Sequence, residues 1–475
     1  MSAARGPIVI VGDSLLDVDV EASTGRMVPD TAAPVLDEIG RSIRPGGAAL
    51  AALLAARDCD VTLVTALPDD EAGLRVRALM PERVRIVALP CRGATAVKMR
   101  LRSGAQIVAR LDQGGADVEF EDLPDAAREA IADAAAVLVS DYGRGATRWP
   151  TLRVELAAVA HRRPLVWDPH PRGGDPVPAA RVVTPNTAEA ARVLGASPAQ
   201  TVPAAARQAR EVLARWQVAS VAVTLGRRGA VLAAGSGVSV FPTVREVSGD
   251  ACGAGDRFAS RLTAALAAGA LTSEAVASAV QAATDFLAAG GVRGLDASGV
   301  DRLDASGVDR LDASGVDRLD AAEVSPATEA STVLERVRAR GGTVVATGGC
   351  FDLLHAGHVE TLRAARALGD CLVVCLNSDE SVRRSKGAGR PLQAADDRRR
   401  VLEGLRWVDE VVIFDEDTPL AVLDRLRPDV WVKGGDYDAA ALPETPLVRS
   451  WGGEVVTVPY LPGRSTTELV GRARQ

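Results

Sequence analysis

Two short segments of the sequence carry residues suited to phosphate chemistry. The first is Asp250-Ala251-Cys252-Gly253-Ala254-Gly255-Asp256, a Gly-Ala-Gly turn followed by a carboxylate. The backbone N–H groups of such a turn, at the start of a helix, converge on one point and attract an anion. Asp256 can then take a proton from a substrate hydroxyl while the turn holds the transferring phosphate. Taken alone, the pattern also fits a plain helix start with Asp256 as a capping residue.

The second segment is the pair His355 and His358, which are two of the four histidines in the chain. Three residues apart at a predicted helix start, they lie on one face. Gly357 leaves room for a phosphate, and each imidazole can donate an N–H to a pentavalent α-phosphate. A His-x-x-His pair can also bind a metal ion, but only Asp352 stands nearby as a further ligand. The pattern therefore favours nucleotidyl transfer.

The composition is typical of a soluble globular protein with more than one domain. At 475 residues the chain exceeds one ordinary core, and it is 47% hydrophobic and 25% charged. A net charge of −7 argues against nucleic acid as a partner, because phosphate backbones are bound by basic faces. No run reaches the roughly 18 apolar residues of a membrane span, and we identify no signal peptide. The six cysteines form no Cys-x-x-Cys pair, so we expect reduced thiols in a cytoplasmic protein.

Short apolar runs alternate with Ala- and Leu-rich helical stretches along most of the chain. This alternation predicts α/β folds with mostly parallel sheets covered by helices. We assign residues 1–292 to one domain and residues 329–475 to a second, smaller one. The strands predicted in the first are Ile8–Val11, Val61–Val64, Ala136–Val139, Leu165–Trp167, Arg181–Val183, Val221–Thr224 and Ala230–Ala233. Those predicted in the second are Gly342–Thr347, Cys371–Asn377, Val411–Phe414, Val430–Lys433 and Glu454–Val458.

A repeated octet separates the two predicted domains. Leu-Asp-Ala-Ser-Gly-Val-Asp-Arg occurs three times, from Leu295, Leu303 and Leu311, before a broken fourth copy. Its aspartates also fit a small β-solenoid or a calcium-binding repeat, but three copies bury little and lack glycine-rich turns. We therefore interpret residues 293–328 as a low-complexity linker.

The first half contains further segments in the order found in ribokinase-like (PfkB) carbohydrate kinases, which it resembles over residues 6–292. These are Val9-Ile10-Val11-Gly12-Asp13, Arg44-Pro45-Gly46-Gly47-Ala48-Ala49, Thr184-Pro185-Asn186-Thr187-Ala188-Glu189 and Thr224-Leu225-Gly226. The resemblance implies an αβα fold in which Asp256 is the catalytic base. It implies sugar contacts at Asp13, Gly46 and Gly47. The implied ATP-site residues are Asn186, Glu189, Thr224, Gly226, Gly253, Ala254 and Gly255, with Glu189 acting indirectly on Mg²⁺.

Lys98 and Arg100 are our candidates for binding a phosphate already present on the sugar. Solvated charges on an edge strand are the alternative. Two residues depart from the family pattern: Leu50 stands where Asn is usual, and Cys252 replaces the Thr of the Asp-x-Thr-Gly-Ala-Gly-Asp signature. Because Asp256 and the glycines are retained, we still expect phosphoryl transfer.

The second half resembles the cytidylyltransferase-like nucleotidyltransferases, whose signature matches Thr347–His358. The blocks Asn377-Ser378-Asp379, Ser385–Pro391, Val432–Tyr437 and Gly463–Thr467 follow in the family's order. The resemblance implies a Rossmann-like fold with His355 and His358 as catalytic groups. It implies nucleotide contacts at Thr347, Phe351, Asn377, Asp379, Lys386, Lys433, Arg464, Ser465 and Thr466.

A PfkB-type kinase joined to such a transferase is similar to the bifunctional enzymes of ADP-heptose biosynthesis. That resemblance implies ATP-dependent phosphorylation of heptose 7-phosphate at O1 and adenylyl transfer from ATP to heptose 1-phosphate, with Mg²⁺ as cofactor. It also implies a homodimer and no nucleic-acid or membrane partner. Two alternatives remain open here: another sugar phosphate, with CTP as the nucleotide, or a degenerate kinase half with a regulatory role.

Overall fold

The computed structural model describes residues 6–31, 33–104, 106–118, 122–245, 247, 250–295, 330–435 and 442–458. These residues divide into two compact units. The first unit lies within residues 6–198, 208–235 and 243–295, and the second within 199–207, 236–242 and 330–458. The octet repeat after Leu295 and the predicted contacts Arg464, Ser465 and Thr466 lie outside the described residues. No helix in the described part is long and apolar enough to cross a membrane.

Strands and helices alternate up to residue 295, as the sequence predicts. The strands are β1 (Ile8–Met27), β2 (Pro34–Gly47), β3 (Val61–Ala66), β4 (Val84–Leu89), β5 (Cys91–Ser103), β6 (Gln106–Val118), β7 (Ala136–Ser140), β8 (Leu165–Asp168), β9 (Val182–Val183), β10 (Ser220–Thr224), β11 (Ala230–Ala234) and β12 (Gly237–Phe241). The helices are α1 (Ala48–Ala55), α2 (Glu71–Ala78), α3 (Asp125–Ala132), α4 (Pro150–Ala160), α5 (Thr187–Leu194), α6 (Val202–Trp216), α7 (Ala254–Ala267) and α8 (Thr272–Ala288).

The central sheet of the first unit is parallel, in the order β4-β3-β1-β7-β8-β9-β10, with β11 antiparallel beside β10. Its strands are apolar runs buried on both faces, as a sheet covered by helices requires; residues 8–11 are each at most 2% exposed. Six of the seven strands predicted in the first half are confirmed within two residues, and the seventh, Ile8–Val11, is the start of a longer strand that runs to Met27. The carboxyl ends of these parallel strands share one edge, where ligands of open α/β sheets bind.

The first unit has a second sheet, here called the side sheet, which the sequence analysis did not predict. Strand β1 continues past Asp13, and its distal part pairs antiparallel with β2 and parallel with β5, while β6 pairs with β5. These strands mix exposed charges with apolar residues, so they lack the buried runs that reveal the central strands. Because β5 is paired on both sides, Lys98 and Arg100 do not lie on an edge strand, and that alternative is wrong.

The second unit contains a parallel sheet in the order β15-β14-β13-β16-β17. Its strands are β13 (Val344–Gly349), β14 (Cys371–Asn377), β15 (Glu410–Phe414), β16 (Val430–Gly434) and β17 (Glu454–Val458). Its helices are α9 (Ala330–Ala339), α10 (Ala356–Arg366), α11 (Asp379–Lys386), α12 (Ala395–Glu403), α13 (Leu420–Leu426) and α14 (Thr445–Ser450). Chain order reverses at β13, which is where a Rossmann-like sheet opens a ligand crevice. Cys371 and Cys375 lie in the apolar core beside Trp431, as reduced thiols.

Candidate active sites

The first candidate site begins where α1 starts behind two glycines. Gly47 has φ +64°, and a Cβ there would lie 2.3 Å from the carbonyl oxygen of Asp13. A Cβ on Gly46 would lie 2.3 Å from Cδ1 of Leu15 and 2.7 Å from Oδ2 of Asp17. Only glycine allows this approach, which brings the predicted sugar contacts Asp13, Gly46 and Gly47 together.

Asp13 itself is 3% exposed and organises the loop after β7. Its carboxylate accepts backbone N–H bonds from Tyr142 at 3.3 Å, Arg144 at 2.9 Å and Ala146 at 3.1 Å. Three amide donors satisfy a buried carboxylate that would otherwise be costly. In this structure Asp13 therefore positions the loop that faces Asp256.

Asp256 lies in the first turn of α7, three residues after the left-handed Gly253 (φ +78°) that caps the helix. Its side chain is buried, and the hydroxyl of Tyr142 donates to Oδ1 at 2.8 Å. Burial raises the pKa of Asp256 to about 7, the charge of Asp17 adds to that rise, and the Tyr142 hydrogen bond and Lys98 oppose it. A carboxylate with this pKa is suited to act as a general base near neutral pH.

A cavity of about 910 Å³ opens beside Asp256. Most of the residues predicted for ATP lie on its wall: Asn186, Glu189, Thr224, Gly226, Ala254 and Gly255. Gly253 does not line it, and an added Cβ there would lie 2.7 Å from Cγ1 of Val292, so this glycine shapes the turn from behind. Tyr142, Asp168 and Thr184 also line the cavity, although the sequence reading gave them no role.

The Asn-x-x-Glu pattern is a helix capping box as well as part of the cavity wall. The side chain of Asn186 accepts from the backbone of Ala188 and Glu189, and Glu189 accepts from the Asn186 backbone at 2.9 Å. Burial raises the pKa of Glu189, and it raises that of the adjacent Asp168 well above its usual range. Mg²⁺ bound with nucleotide phosphates uses few carboxylates and keeps its waters. The carboxylate of Glu189, which lines the cavity, fits such an ion.

Lys98 and Arg100 lie two residues apart on β5 but differ in their surroundings. Arg100 donates to Asp17 at 2.9 Å, so a carboxylate already balances its charge. Lys98 places Nζ 5.1 Å from the ring centroid of Tyr142, and burial lowers its pKa, as do the positive charges of Arg110 and Arg144. We call Lys98, Arg144 and Arg172, which surround His170, the basic cluster.

The positive charges of the basic cluster affect the pKa of His170. Burial and the positive charges of Arg172, Lys98, Arg192 and Arg144 together lower the pKa of His170 to about 4. The surroundings of His170 therefore favour its neutral form. The sequence reading found Lys98 but missed Arg144 and Arg172, because loop arginines carry no local signal of a shared site.

The two departures from the kinase pattern meet in one place. Leu50 belongs to an apolar cluster with Leu53, Leu54, Phe286 and Val292, and Cys252 packs against it. A Cβ on Gly253 would lie 3.4 Å from Cδ2 of Leu50. The turn that precedes Asp256 is thus supported by apolar packing.

The second candidate site is built on the loop between β13 and α10. His355 caps α10, and its Nδ1 accepts the backbone N–H of Gly357 at 3.1 Å, which leaves the proton of the neutral ring on Nε2. The rings of His355 and His358 stack with centroids 3.9 Å apart, and Phe351 (φ +43°) packs on His358 at 5.2 Å. Burial lowers the pKa of His358 to about 4, and His355 and Lys386 contribute. His358 is therefore neutral at pH 7.

The other predicted nucleotide contacts of this unit are held in place by bonds to neighbouring residues. Lys386 donates to Sγ of Cys350 at 2.9 Å, which keeps its ammonium beside the histidine pair. Thr347 donates to the carbonyl of Val432, and Asn377 to Ser381. Lys433 forms a 2.9 Å ion pair with the buried Glu444, so its charge is already balanced.

Asp352 does not join the histidines. Its carboxylate accepts from Arg390 at 2.5 Å and from the backbone of Leu392 at 2.6 Å and Gln393 at 3.2 Å. These bonds turn it toward the segment before α12. Among the residues that the structure describes, no three His, Cys, Asp or Glu side chains form a metal-binding group.

Arg398 is the residue of this site that the sequence reading missed. Its side chain has no exposed area, and it donates to Asp379 at 2.6 Å. It also donates to the carbonyls of Cys350, Asn377 and Gln393, at 2.6, 2.9 and 3.0 Å. In sequence it belongs to Asp-Asp-Arg-Arg-Arg, which is typical of a solvated helix face. One cation thus joins the loop after β13, the end of β14 and the start of α11.

Comparison with known proteins assigns each half of the chain to a family. Residues 8–294 match the pfkB family carbohydrate kinase model, and residues 346–468 match the cytidylyltransferase-like model. The chain is 50% identical over 477 residues to the bifunctional protein HldE of Streptomyces coelicolor, covering 99% of this chain and 97% of that protein. It is 36% identical to the bifunctional protein HldE of Azorhizobium caulinodans, with 98% of each covered. A solved ribokinase of Arabidopsis thaliana has 20% identity and a TM-score of 0.47, covering 60% of this chain and 93% of that one.

Fold, sites and matches define a bifunctional transferase, a PfkB carbohydrate kinase joined to a cytidylyltransferase-like nucleotidyltransferase. The predicted fold class and enzyme class are therefore confirmed. The chain belongs to the family of the bifunctional protein HldE.

The Arg398 network leads to a first prediction. Arg398→Lys keeps the charge, but one ammonium cannot reach four acceptors, so we expect a loss of about 2–4 kcal/mol in the stability of this unit. Thermal unfolding and the adenylyl-transfer rate measure it, with the kinase rate of the same preparation as reference. Arg399→Lys is the matched control, because Arg399 pairs with Glu403 on the outer face of the same helix and is 35% exposed. Equal melting curves for the two variants would contradict the assigned role.

Proposed function

We propose that the chain makes ADP-heptose in two reactions. The kinase half uses ATP to phosphorylate D-glycero-β-D-manno-heptose 7-phosphate at O1. The nucleotidyltransferase half joins heptose 1-phosphate to the AMP part of ATP and releases pyrophosphate. The observation that carries the proposal is the position of Lys98, whose Nζ lies 5.1 Å from the ring centroid of Tyr142, the residue that hydrogen-bonds Asp256. A cation there suits a sugar that already bears a phosphate.

In the kinase reaction, the residues of the first unit supply a base and an anion site. Asp256 takes the proton from the O1 hydroxyl as O1 attacks the γ-phosphorus. The N–H groups of the turn at residues 253–255 and the N-terminus of α7 face the charge that develops on the phosphoryl oxygens. Mg²⁺, held indirectly by Glu189, supplies further charge neutralisation when bound.

In the transferase reaction, the attacking group is a phosphate oxygen that is already anionic, so no protein base is needed. The work of the site is orientation and charge stabilisation. His355 through Nε2–H, the ring of His358 stacked on it and the ammonium of Lys386 would contact the α-phosphate and the pyrophosphate leaving group. Between the two reactions a separate phosphatase must remove the 7-phosphate, because the transferase product carries a single phosphorylated position.

The structure bears on the alternatives. A degenerate kinase half is disfavoured by the buried, hydrogen-bonded Asp256 and by the apolar packing that accommodates Leu50 and Cys252. The use of CTP in place of ATP is a matter for direct comparison. The division into a kinase at residues 1–292, a linker at 293–328 and a transferase at 329–475 belongs to the proposal, as does a location in the cytoplasm.

A homodimer is also part of the proposal. The side sheet exposes several large apolar side chains from three of its strands: Met27, Ile39, Ile107 and Leu111 are 46–69% exposed. Apolar residues gathered on one sheet favour burial against another surface. A second copy of this chain is the partner that we propose.

Asp256→Asn tests the kinase assignment. Removal of the base should lower the rate of ADP formation with heptose 7-phosphate by about a hundredfold to ten-thousandfold. Adenylyl transfer to heptose 1-phosphate by the same preparation should be unchanged, which controls for folding. Full kinase activity in this variant would exclude Asp256 as the base.

Lys98→Met tests the phosphorylated substrate. Loss of one cation of the basic cluster should raise KM for heptose 7-phosphate about tenfold, and KM for ATP should stay as it was. Heptose without a phosphate should be a poor substrate of both proteins. Equal kcat/KM for heptose and heptose 7-phosphate in the unmodified enzyme would contradict the basic cluster as a phosphate site.

His355→Asn and His358→Asn test the transferase. Each should lower kcat for adenylyl transfer about a hundredfold to a thousandfold, because His355→Asn removes a donor to the transition state and His358→Asn removes the ring that stacks on that donor. Kinase activity should be unaffected, and His161→Asn, at an exposed histidine of the first unit, is the matched control. Assays with ATP, CTP and GTP identify the nucleotide, and a preference for CTP would overturn the ADP-heptose proposal.

A further inference from the structure

Tyr142 occupies a position that the proposed kinase mechanism leaves unexplained. It follows β7 at the carboxyl edge of the central sheet, and its backbone N–H is one of the three that Asp13 accepts. Because Arg144 and Ala146 of the same loop are held by the same carboxylate, the backbone on both sides of the ring is anchored. The backbone that carries the Tyr142 side chain is therefore fixed in position.

The side chain of Tyr142 makes three contacts of different kinds. Its hydroxyl donates to Oδ1 of Asp256 at 2.8 Å. One ring contact is with the ammonium of Lys98, 5.1 Å from the ring centroid. The other is with the ring of His170, stacked at 6.3 Å with an interplanar angle of 18°. The ring thus joins Asp256 to the basic cluster.

Deepening the proposed kinase function, we propose that Tyr142 is a positioning residue. Its hydroxyl fixes Oδ1 of Asp256 and leaves Oδ2 for the substrate. Its ring contacts Lys98, which binds the phosphate already present on the sugar. The proton of the O1 hydroxyl passes to Oδ2 as O1 bonds to the γ-phosphorus. The bond from the γ-phosphorus to the bridging oxygen breaks, and ADP leaves with the electron pair. The tyrosine proton stays where it is.

The electrostatics support a donor role. Burial raises the pKa of Tyr142 well above its ordinary value, and the charges of Asp256 and Asp168 add to the effect, so the hydroxyl keeps its proton. The groups that act on Asp256 come from several elements: Asp17 on β1, Lys98 on β5, Asp168 on β8 and Tyr142 after β7. Within this set Tyr142 is the side chain that bonds directly to the carboxylate, and its bond stabilises the ionised form.

Tyr142→Phe removes the hydroxyl and keeps the ring. Without the donor the pKa of Asp256 rises further, so more of the base is protonated at neutral pH. We expect kcat of the kinase to fall about tenfold to a hundredfold, the loss of one hydrogen bond to a charged group. The acid limb of the pH profile of kcat/KM should move to higher pH, with KM for heptose 7-phosphate little changed. Adenylyl transfer reports whether the chain has folded.

Two further proteins make the test specific. Thr263→Val removes a buried hydroxyl on α7, the helix that carries Asp256. That hydroxyl donates to the carbonyl of Ala259 and not to Asp256, so this variant should leave the acid limb in place. Replacement of Tyr142 by 3-fluorotyrosine provides a stronger donor of nearly the same shape and should move the limb to lower pH. This second change keeps the test valid even if Tyr142→Phe is poorly folded.

An unshifted limb in both Tyr142 variants would overturn the inference, even with a uniform loss of rate, because that result would show a purely structural role. The Asp256→Asn assay separates this failure from failure of the proposed function. If Asp256→Asn is inactive and the limb does not move, only the role of Tyr142 falls. If Asp256→Asn is fully active, the kinase assignment itself falls.

Discussion

The kinase site depends on how the buried carboxylate of Asp13 is satisfied. A carboxylate with 3% exposure must find donors inside the protein, and it finds them in three backbone N–H groups of the loop after β7. That requirement fixes the loop, the loop fixes Tyr142, and Tyr142 holds Asp256. The glycines at residues 46 and 47 allow the opposite loop to approach the same strand. The base is thus placed by a chain of contacts that begins at a different strand.

The nucleotidyltransferase site also contains a buried charge that needs hydrogen-bond partners, but this charge is positive. Arg398 is a buried cation whose donors reach three carbonyls and the carboxylate of Asp379. These acceptors come from the loop after β13, the end of β14, the start of α11 and the segment before α12. In both units, one buried charge gathers backbone from separate elements at the carboxyl edge of a parallel sheet. The side chains predicted to act on phosphates therefore extend from backbone segments whose relative positions are fixed.

Much of this arrangement follows from local sequence. The strands of both central sheets are apolar runs between helical stretches, so their places and type could be predicted. Asp256, His355 and His358 stand in compact motifs, because an anion-binding turn or a histidine pair at a helix start needs adjacent residues. The side sheet lacks such a signal, since its strands carry charges that pair across strands, such as Arg100 with Asp17. Thr347, Asn377 and Asp379 were predicted for the nucleotide, and in the structure they also bond within the protein.

The sequence by itself determined the two folds, the two families and the residues whose neighbours form one motif, because periodicity and short spacing are local properties. Only the tertiary structure decided which distant residues share a charge environment. It raised the pKa of Asp256 to about 7 through burial, gathered Lys98, Arg144 and Arg172 from separate segments, and buried Arg398 from a run that looks solvated. The reason is physical: desolvation and Coulomb interactions depend on distance in space, which spacing along the chain does not encode.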